Sequence, residues 1–146
     1  MLKEAGRDAE HGVNLYVRAG CPFCTRLLIF LAEAGLMNRV EVVVVDGNEQ
    51  LLKSLAEMGR LQQSNSGEHE KVTFPAAEVA RGVLEMETDR LIEWFSGAFG
   101  VKREQMYVLP FYENGVMKNQ RKLVEHIGLE KALEIIYAPE NKTEKE

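Results

Sequence analysis

The only two cysteines of the chain are separated by two residues, in Cys21-Pro22-Phe23-Cys24. The apolar run 13–17 comes shortly before this segment, and the longer apolar run 27–32 follows it. A strand that ends in a turn and then opens a helix through a Cys-x-x-Cys pair is the layout of a dithiol redox site. Two lone cysteines in a reducing compartment seldom form a structural disulfide. The pair therefore predicts a redox or metal site at the start of an α/β fold.

Length and charge limit the class of protein and of partner. The 146 residues suit one domain with a single core, and 45% hydrophobic and 28% charged residues are ordinary for a globular chain. The formal net charge of −5 argues against a nucleic-acid or anionic-membrane partner. The charged segment 1–10 does not match a secretory signal, and no stretch approaches the ~20 apolar residues that cross a bilayer. We expect a cytoplasmic protein without a nucleic-acid or membrane partner.

The first part of the chain predicts two strand–helix pairs. Residues 13–18 suit a buried strand, and a helix is predicted over 22–34, where Gly35 ends it. The nearly continuous β-branched run 39–45 predicts a strand that is covered on both faces. Leucine and methionine at helical spacing predict a second helix over 48–60. Two such pairs imply parallel strands joined by a right-handed crossover.

The next part predicts a hairpin and a third helix. Residues 61–71 are polar and without periodicity, which indicates a surface loop. Two short strands are predicted at 72–80 and 83–84, followed by a helix with Thr88 as N-cap and Asp89 in its first turn. The sequence thus predicts an α/β fold in the order βαβαββα. Its four-stranded mixed sheet is flanked by helices, and an extra C-terminal segment follows.

Four parts are predicted along the chain. Residues 1–12 form an N-terminal extension, 13–99 the α/β domain, 100–137 a C-terminal extension that packs on the same domain, and 138–146 a disordered tail. Within the C-terminal extension, Asn114-Gly115 predicts a turn, and a terminal helix is predicted to break or kink near Gly128.

Three motifs give the sequence a family resemblance over residues 13–99. Cys21-Pro22-Phe23-Cys24, with Arg18 three positions before it, resembles the Cys-Pro-Tyr-Cys site of the glutaredoxins, where a lysine usually takes the place of the arginine. Thr73-Phe74-Pro75 is similar to the family's Thr-Val-Pro, and Glu87-Thr88-Asp89 to its Asp-Asp helix start. The last motif is also similar to the Glu-Ser pattern in the N-terminal domain of the glutathione transferases.

The resemblance implies a thioredoxin-like fold and a glutathione-dependent disulfide oxidoreductase, with glutathione as co-substrate and no metal. Cys21 would be the nucleophile, Cys24 the resolving thiol, and disulfide-containing proteins or small disulfides the partners. Pro75 would be cis, which leaves the backbone of Phe74 to pair with glutathione or a substrate strand. The glutathione-binding residues predicted on this basis are Arg18, Phe23, Lys71, Phe74, Pro75, Thr88 and Asp89, with Lys71 assigned to the glycine carboxylate.

The position of Cys21 also predicts its chemistry. A cysteine at the first turn of a helix meets backbone N–H groups and the positive end of the helix dipole, and Arg18 adds a positive charge. We therefore expect the pKa of Cys21 to lie below that of an ordinary thiol. Cys24 lies one turn further into the helix and is expected to be more buried.

Several alternatives remain open at this level. The loop 61–71 is longer than usual, the Gly-Gly that commonly precedes the third helix is missing, and residues 100–146 correspond to nothing in a minimal glutaredoxin. The chain could be a transferase-like binding or dimerisation module, hold half of a zinc site, or bridge an iron–sulfur cluster with glutathione. Pro110, followed by Asn114-Gly115, could also imitate the cis-proline hairpin, although Pro75 lies closer to Cys21 in sequence.

Overall fold

The computed structural model describes residues 12–66 and 71–139, and of residues 63–66 only the backbone. The chain divides into two compact units at Leu109–Pro110. The predicted N-terminal extension, apart from Gly12, and the predicted tail beyond Pro139 lie outside the described residues.

The first unit is an α/β structure with a four-stranded mixed sheet, as the sequence predicts. Its elements are β1 (Val13–Val17), α1 (Pro22–Glu33), β2 (Val40–Val44), α2 (Glu49–Ser66), β3 (Ala76–Ala80), β4 (Val83–Glu85) and α3 (Thr88–Phe99). The strand order is β2-β1-β3-β4. β1 and β2 are parallel, whereas β1–β3 and β3–β4 are antiparallel.

Alternation along β1 sends side chains into two separate cores. Val13, Leu15 and Val17 belong to a cluster with α1 and α3, whereas Tyr16 packs in a second cluster that includes Leu55 of α2. Successive side chains of a strand point to opposite faces, so the helices cover both faces of the sheet around β1. This central strand leads directly to the cysteines.

The start of α1 is fixed by the cysteine segment itself. Pro22 occupies the first helical turn, where its missing N–H is not needed, and Cys21 is the N-cap. Cys24, Leu27, Phe30 and Leu31 form the buried face of the helix, at the spacing of three to four residues expected for one side. Burial of this face against the sheet holds the cysteine segment at the end of β1.

The prediction that β2 is covered on both faces is wrong. β2 lies at the sheet edge and pairs with β1 alone among the described strands, and Val42 and Val44 are 36% and 53% exposed. A β-branched run indicates a strand, but it does not carry the strand order that decides which strand lies at the edge.

The predicted loop 61–71 begins too early, because α2 continues to Ser66. Residues 67–70 of that predicted loop lie outside the described part of the chain. Gln62, within the added helical turn, donates to the carbonyl oxygen of Leu84 and accepts from its N–H, each at 3.0 Å. The side chain thereby pairs with the outer edge of β4, where backbone groups otherwise lack a neighbouring strand.

The segment after α3 is helical throughout most of its length. A short helix α4 (Val108–Tyr112) leads through a π-helical turn (Glu113–Met117) into α5 (Lys118–Ile127) and α6 (Leu129–Ile136). Asn114 and Gly115 therefore lie inside a helical stretch and not in a turn, because the backbone bonding of the flanking helices continues through them. Gly128, with a φ of 92°, separates α5 from α6, which confirms the predicted break.

A carboxylate from α1 caps the start of α4. The two oxygens of Glu33 accept hydrogen bonds from the N–H groups of Tyr107, Val108 and Leu109, at 3.1, 2.6 and 3.2 Å. The first N–H groups of a helix have no intrahelical acceptor, so these bonds supply their partners. Burial opposes the effect, but the three N–H groups together lower the pKa of Glu33.

Candidate functional site

The two cysteine side chains differ in exposure although they lie on one helical turn. Cys21 is half-buried, and Cys24 is buried with 2% exposure. The N–H of Cys24 donates to Cys21 Sγ at 3.3 Å, and the N–H of Arg18 donates to Cys24 Sγ at 3.5 Å. Both sulfurs are free thiols in this structure. Only the first is placed where another molecule can reach it.

The environment moves the pKa values of the two thiols in opposite directions. A hydrogen bond from the Cys24 thiol lowers the pKa of Cys21 to about 6, although burial opposes it, and the N–H groups of Cys24 and Phe23 and the Arg18 charge add to the effect. The pKa of Cys24 is raised, first because Cys21 accepts its proton and then by burial. At neutral pH roughly nine-tenths of Cys21 is therefore thiolate, while Cys24 stays protonated.

The direction for Cys21 agrees with the sequence expectation, but the largest cause does not. Backbone N–H groups and Arg18 were the expected sources, whereas the Cys24 thiol contributes most. The sequence contains the signal for this contact, since a Cys-x-x-Cys spacing at a helix start brings the second thiol under the first. The pair therefore acts as one unit with one ionised and one protonated sulfur.

We expect the alkylation rate of Cys21 by iodoacetamide to rise through a midpoint near pH 6, because only the thiolate reacts. The rate is measured on the wild-type chain at a series of pH values, with the modified residue identified by mass spectrometry. The urea-unfolded chain is the control, and its thiols should react with an ordinary midpoint of about 8.5. A folded-state midpoint equal to the unfolded one would contradict the thiolate assignment.

A second segment lies next to the cysteines. The Phe74–Pro75 peptide bond is cis, as the resemblance implies, and it is the one cis bond among the described residues. The carbonyl oxygen of Phe74 lies 3.9 Å from Cys21 Sγ, and the Arg18 guanidinium lies 4.9 Å from the centre of the Phe74 ring. The alternative in which Pro110 forms the cis-proline hairpin is wrong, because Pro110 lies in helix α4 and the peptide bond before it is trans.

Phe23 and Pro75 complete the immediate surroundings of Cys21. Phe23 lies in the first turn of α1 and is 46% exposed, whereas Pro75, the second residue of the cis bond, is buried. The structure thus brings together Cys21, Arg18 and Phe74, with Phe23 and Pro75 beside them. An exposed aromatic ring next to an accessible thiolate leaves an apolar contact surface for whatever approaches the sulfur.

The predicted residues at the start of α3 are placed differently from expectation. Glu87 is the N-cap, and Thr88 is the first helical residue, with only 8% of its surface exposed. As the first two residues of the helix, Thr88 and Asp89 present backbone N–H groups that have no intrahelical acceptor. The prediction of Thr88 as N-cap is therefore wrong by one position, while Asp89 does lie in the first turn.

The carboxylate of Asp89 is engaged by two arginines. It lies 2.7 Å from the guanidinium of Arg26 on α1 and 3.6 Å from that of Arg103. The hydrogen bond from Arg26 is the main reason why the pKa of Asp89 is lowered. Arg26 and Asp89 are 63 residues apart in sequence, and no local pattern predicts such a pair. The contact ties the cysteine-bearing helix to the start of α3.

Lys71 lines a cavity of about 290 Å³, and neither cysteine is among the lining residues. Its walls are Gln62, Lys71, Thr73, Leu84, Glu85, Met86, Glu87 and Arg90. Thr73 and Glu87 each directly precede a predicted site residue, Phe74 and Thr88, so the cavity adjoins both segments. Arg90 on its wall lies 3.9 Å from Glu85, whereas Lys71 is exposed.

Sequence reasoning missed Asp46, which follows β2. One carboxylate oxygen accepts from the N–H of Ala19 at 2.7 Å, and the other lies 3.8 Å from the guanidinium of Arg18. The position after a strand that runs parallel to β1 could have suggested it, because the carboxyl ends of parallel strands meet at one edge of a sheet.

No metal site or membrane span is found within the described ranges. They contain no group of three or more His, Cys, Asp or Glu side chains that could hold a metal ion, and His11 and His69 lie outside them. None of the helices described is both long and apolar enough to cross a bilayer.

Compared with known proteins, the chain matches no protein-family model, no curated protein and no solved structure.

Proposed function

We propose that the chain is a glutaredoxin-like, glutathione-dependent dithiol oxidoreductase that reduces protein or glutathione mixed disulfides. The observation that carries the proposal is the pairing of an accessible Cys21, whose pKa is lowered to about 6, with a buried Cys24 thiol within hydrogen-bond reach. Dithiol exchange uses such a pair. The thiolate attacks the substrate disulfide, and the second thiol then releases the substrate from the mixed disulfide.

The fold supports the same proposal. A sheet in the order β2-β1-β3-β4, with a parallel first pair and an antiparallel hairpin, is compatible with a thioredoxin-like fold. The nucleophile lies at the end of the central strand and the start of a helix, and a cis-proline segment lies beside it. Membership of the glutaredoxin family is part of the proposal and rests on these features and on the motifs.

The first step is exchange at Cys21. Its thiolate attacks one sulfur of the substrate disulfide, a bond forms between the two sulfurs, and the original S–S bond breaks. The other substrate sulfur leaves with the bonding electron pair and takes up a proton. The low pKa of Cys21 supplies the nucleophile at neutral pH without a separate base.

Two routes then resolve the mixed disulfide. Cys24 can give its proton to the departing sulfur and attack Cys21, which releases the reduced substrate and leaves a Cys21–Cys24 disulfide. Two glutathione molecules restore the dithiol by supplying two electrons, and they become glutathione disulfide. Where the substrate is itself joined to glutathione, one glutathione molecule attacks the adduct on Cys21 directly.

The proposed glutathione site extends from the sulfur in two directions. The backbone of Phe74 would pair with the extended tripeptide, and the N–H groups of Thr88 and Asp89 would bind its γ-glutamyl carboxylate. Arg18 contributes a positive charge near the thiolate, and Lys71 in the adjoining cavity would bind the glycine carboxylate. Phe23 and Pro75 would supply apolar contacts. Glutathione acts here as co-substrate, in a cytoplasmic setting, without a metal.

One observation favours a second candidate function, that of a binding or dimerisation module. The second unit exposes large apolar side chains, and exposed apolar surface is a property of interaction sites. They are Phe111, Leu123, Leu129, Leu133, Ile136 and Tyr137, which are 43% to 79% exposed. In this reading the cysteines would take no part in the function.

A glutathione-coupled assay separates the two functions. The wild-type chain is given a glutathionylated peptide, glutathione, glutathione reductase and NADPH, and we expect NADPH consumption in proportion to the chain's concentration. Bovine serum albumin at equal thiol concentration is the control for unspecific exchange. A chain that shows no turnover, although its thiols titrate as described above, would contradict the oxidoreductase and favour the binding module.

A further inference from the structure

Asp46 connects the edge strand of the sheet to the turn that precedes the nucleophile. It follows the buried Val45, whose N–H donates to the carbonyl oxygen of Val17 at 3.0 Å, so its backbone is fixed at the end of β1. From there its carboxylate accepts the N–H of Ala19 at 2.7 Å and lies 3.8 Å from the Arg18 guanidinium. Both contacts fall on the residues between β1 and α1.

Arg18 is in turn linked to both sulfurs. Its N–H donates to Cys24 Sγ at 3.5 Å, and its guanidinium lies over the ring of Phe74, whose carbonyl oxygen is 3.9 Å from Cys21 Sγ. The position of Arg18 is therefore set on one side by Phe74 and on the other by Asp46. The guanidinium lies 3.8 Å from the carboxylate and also acts on Cys21 through its charge, so the negative charge of Asp46 offsets part of the positive field at the thiolate.

We propose that Asp46 is a positioning residue of the dithiol site, which withholds part of the Arg18 charge from Cys21 and thereby keeps the reduction potential of the cysteine pair more negative. The proposal rests on the oxidoreductase function and adds what sets its redox poise. Arg18 interacts with the thiolate of the reduced form but with no charge in the Cys21–Cys24 disulfide. The negative charge of Asp46 offsets part of the stabilisation that Arg18 gives to the thiolate, and it therefore destabilises the reduced form alone.

The electrostatics of the thiols act in the same direction. The Arg18 charge helps to lower the pKa of Cys21, and the Asp46 charge helps to raise the pKa of Cys24. Both side chains act on the thiols from outside α1. The carboxylate thus opposes ionisation in both cysteines, once through Arg18 and once directly.

The test is Asp46→Asn, which keeps an oxygen acceptor for the Ala19 N–H and removes the charge. We expect the pKa of Cys21 to fall by about 0.5–1 unit and the reduction potential to become less negative by roughly 15–30 mV. The two readouts are thiolate absorbance against pH and the thiol–disulfide ratio in glutathione buffers. Asp46→Ser, which also keeps an oxygen, repeats the test with a different side chain.

Glu41→Gln is the matched control. Glu41 is an exposed carboxylate on β2, the strand that precedes Asp46, but it is paired with Asn14, three residues before the Val17 end of β1. Its removal should leave both readouts unchanged. A shift of equal size in Glu41→Gln would show that only the overall charge matters and would overturn the proposal.

The route through Arg18 is tested by Asp46→Asn in an Arg18→Gln background. We expect a smaller pKa shift there than in the wild-type background, and an undiminished shift would overturn the positioning role. The proposed function has its own outcome. If wild-type Cys21 titrates as an ordinary thiol and forms no disulfide with Cys24, the oxidoreductase fails. If wild type behaves as expected but Asp46→Asn shifts nothing, only this inference fails.

Discussion

Cys21→Ser is expected to lower the rate of glutathione-coupled disulfide reduction by at least about 1,000-fold. A serine hydroxyl in the same place is not ionised at neutral pH and cannot form the mixed disulfide on which both routes depend. Cys24 cannot replace it, because this thiol is 2% exposed and its pKa is raised. The rate is measured with a glutathionylated peptide at pH 7, and retention of activity by Cys21→Ser would contradict the mechanism.

Cys24→Ser is the partner experiment, and its effect depends on the substrate. We expect reduction of the glutathionylated peptide to stay within about 10-fold of wild type, because glutathione can resolve the adduct on Cys21 without a second thiol. Reduction of an intramolecular protein disulfide should be lost, because that route needs Cys24. Mass spectrometry of Cys24→Ser with glutathione disulfide should find one glutathione on Cys21.

A second substitution at the same position isolates the hydrogen bond. A serine hydroxyl can still donate to Cys21 Sγ, whereas alanine in Cys24→Ala cannot. Because the Cys24 thiol is the largest cause of the lowered pKa of Cys21, we expect that pKa to rise in Cys24→Ala and to rise less in Cys24→Ser. Equal values in the two variants would mean that backbone N–H groups and Arg18 account for the effect.

The cysteine site could be predicted from sequence because its parts are local. The N-cap, the proline in the first turn and the second thiol all lie within Cys21–Cys24, and the helix dipole needs no distant residue. The position of Phe74 beside Cys21 came from the motif resemblance, since 53 residues separate the two. The order of elements followed from hydrophobic periodicity, which depends on neighbours within a few turns.

The remainder depends on contacts between distant segments. The edge position of β2 follows from strand order, and the pairing of Gln62 with Leu84 follows from how α2 meets β4. The partners of Asp89 and of Arg18 are likewise brought close only by the fold. The charge of a side chain limits which kinds of residue can pair with it, but tertiary structure decides which of them lies within reach.

Phe30→Ala is expected to lower the free energy of unfolding by about 3–5 kcal/mol. Phe30 is fully buried on the inner face of α1, in the cluster that also contains Leu15 of β1 and Phe95 of α3. Truncation removes the transfer free energy of a whole ring and leaves a cavity that the sheet and helices cannot fully close. A loss of this size is a large part of the ~5–15 kcal/mol that stabilises a typical domain.

Urea unfolding followed by tryptophan fluorescence measures the effect in the first unit, because the chain has one tryptophan. That residue, Trp94, lies on α3 and packs edge to face on Phe95 with 4.9 Å between ring centres, so its signal reports on the same core. Phe111→Ala is the matched control, since its ring is 79% exposed and its removal should cost less than about 0.5 kcal/mol.

Phe30→Ala also tests whether the buried face of α1 holds the cysteines in place. Phe30 is six residues beyond Cys24 on α1 and is not among the groups that set the pKa of Cys21, so the folded fraction should keep the alkylation midpoint of Cys21 near pH 6. The free energy of unfolding and the pKa of Cys21 can then change independently, because core packing holds α1 in place while its N-terminal turn sets the ionisation of Cys21. A loss of stability no greater than that of Phe111→Ala would mean that this core does not anchor the helix that carries the site.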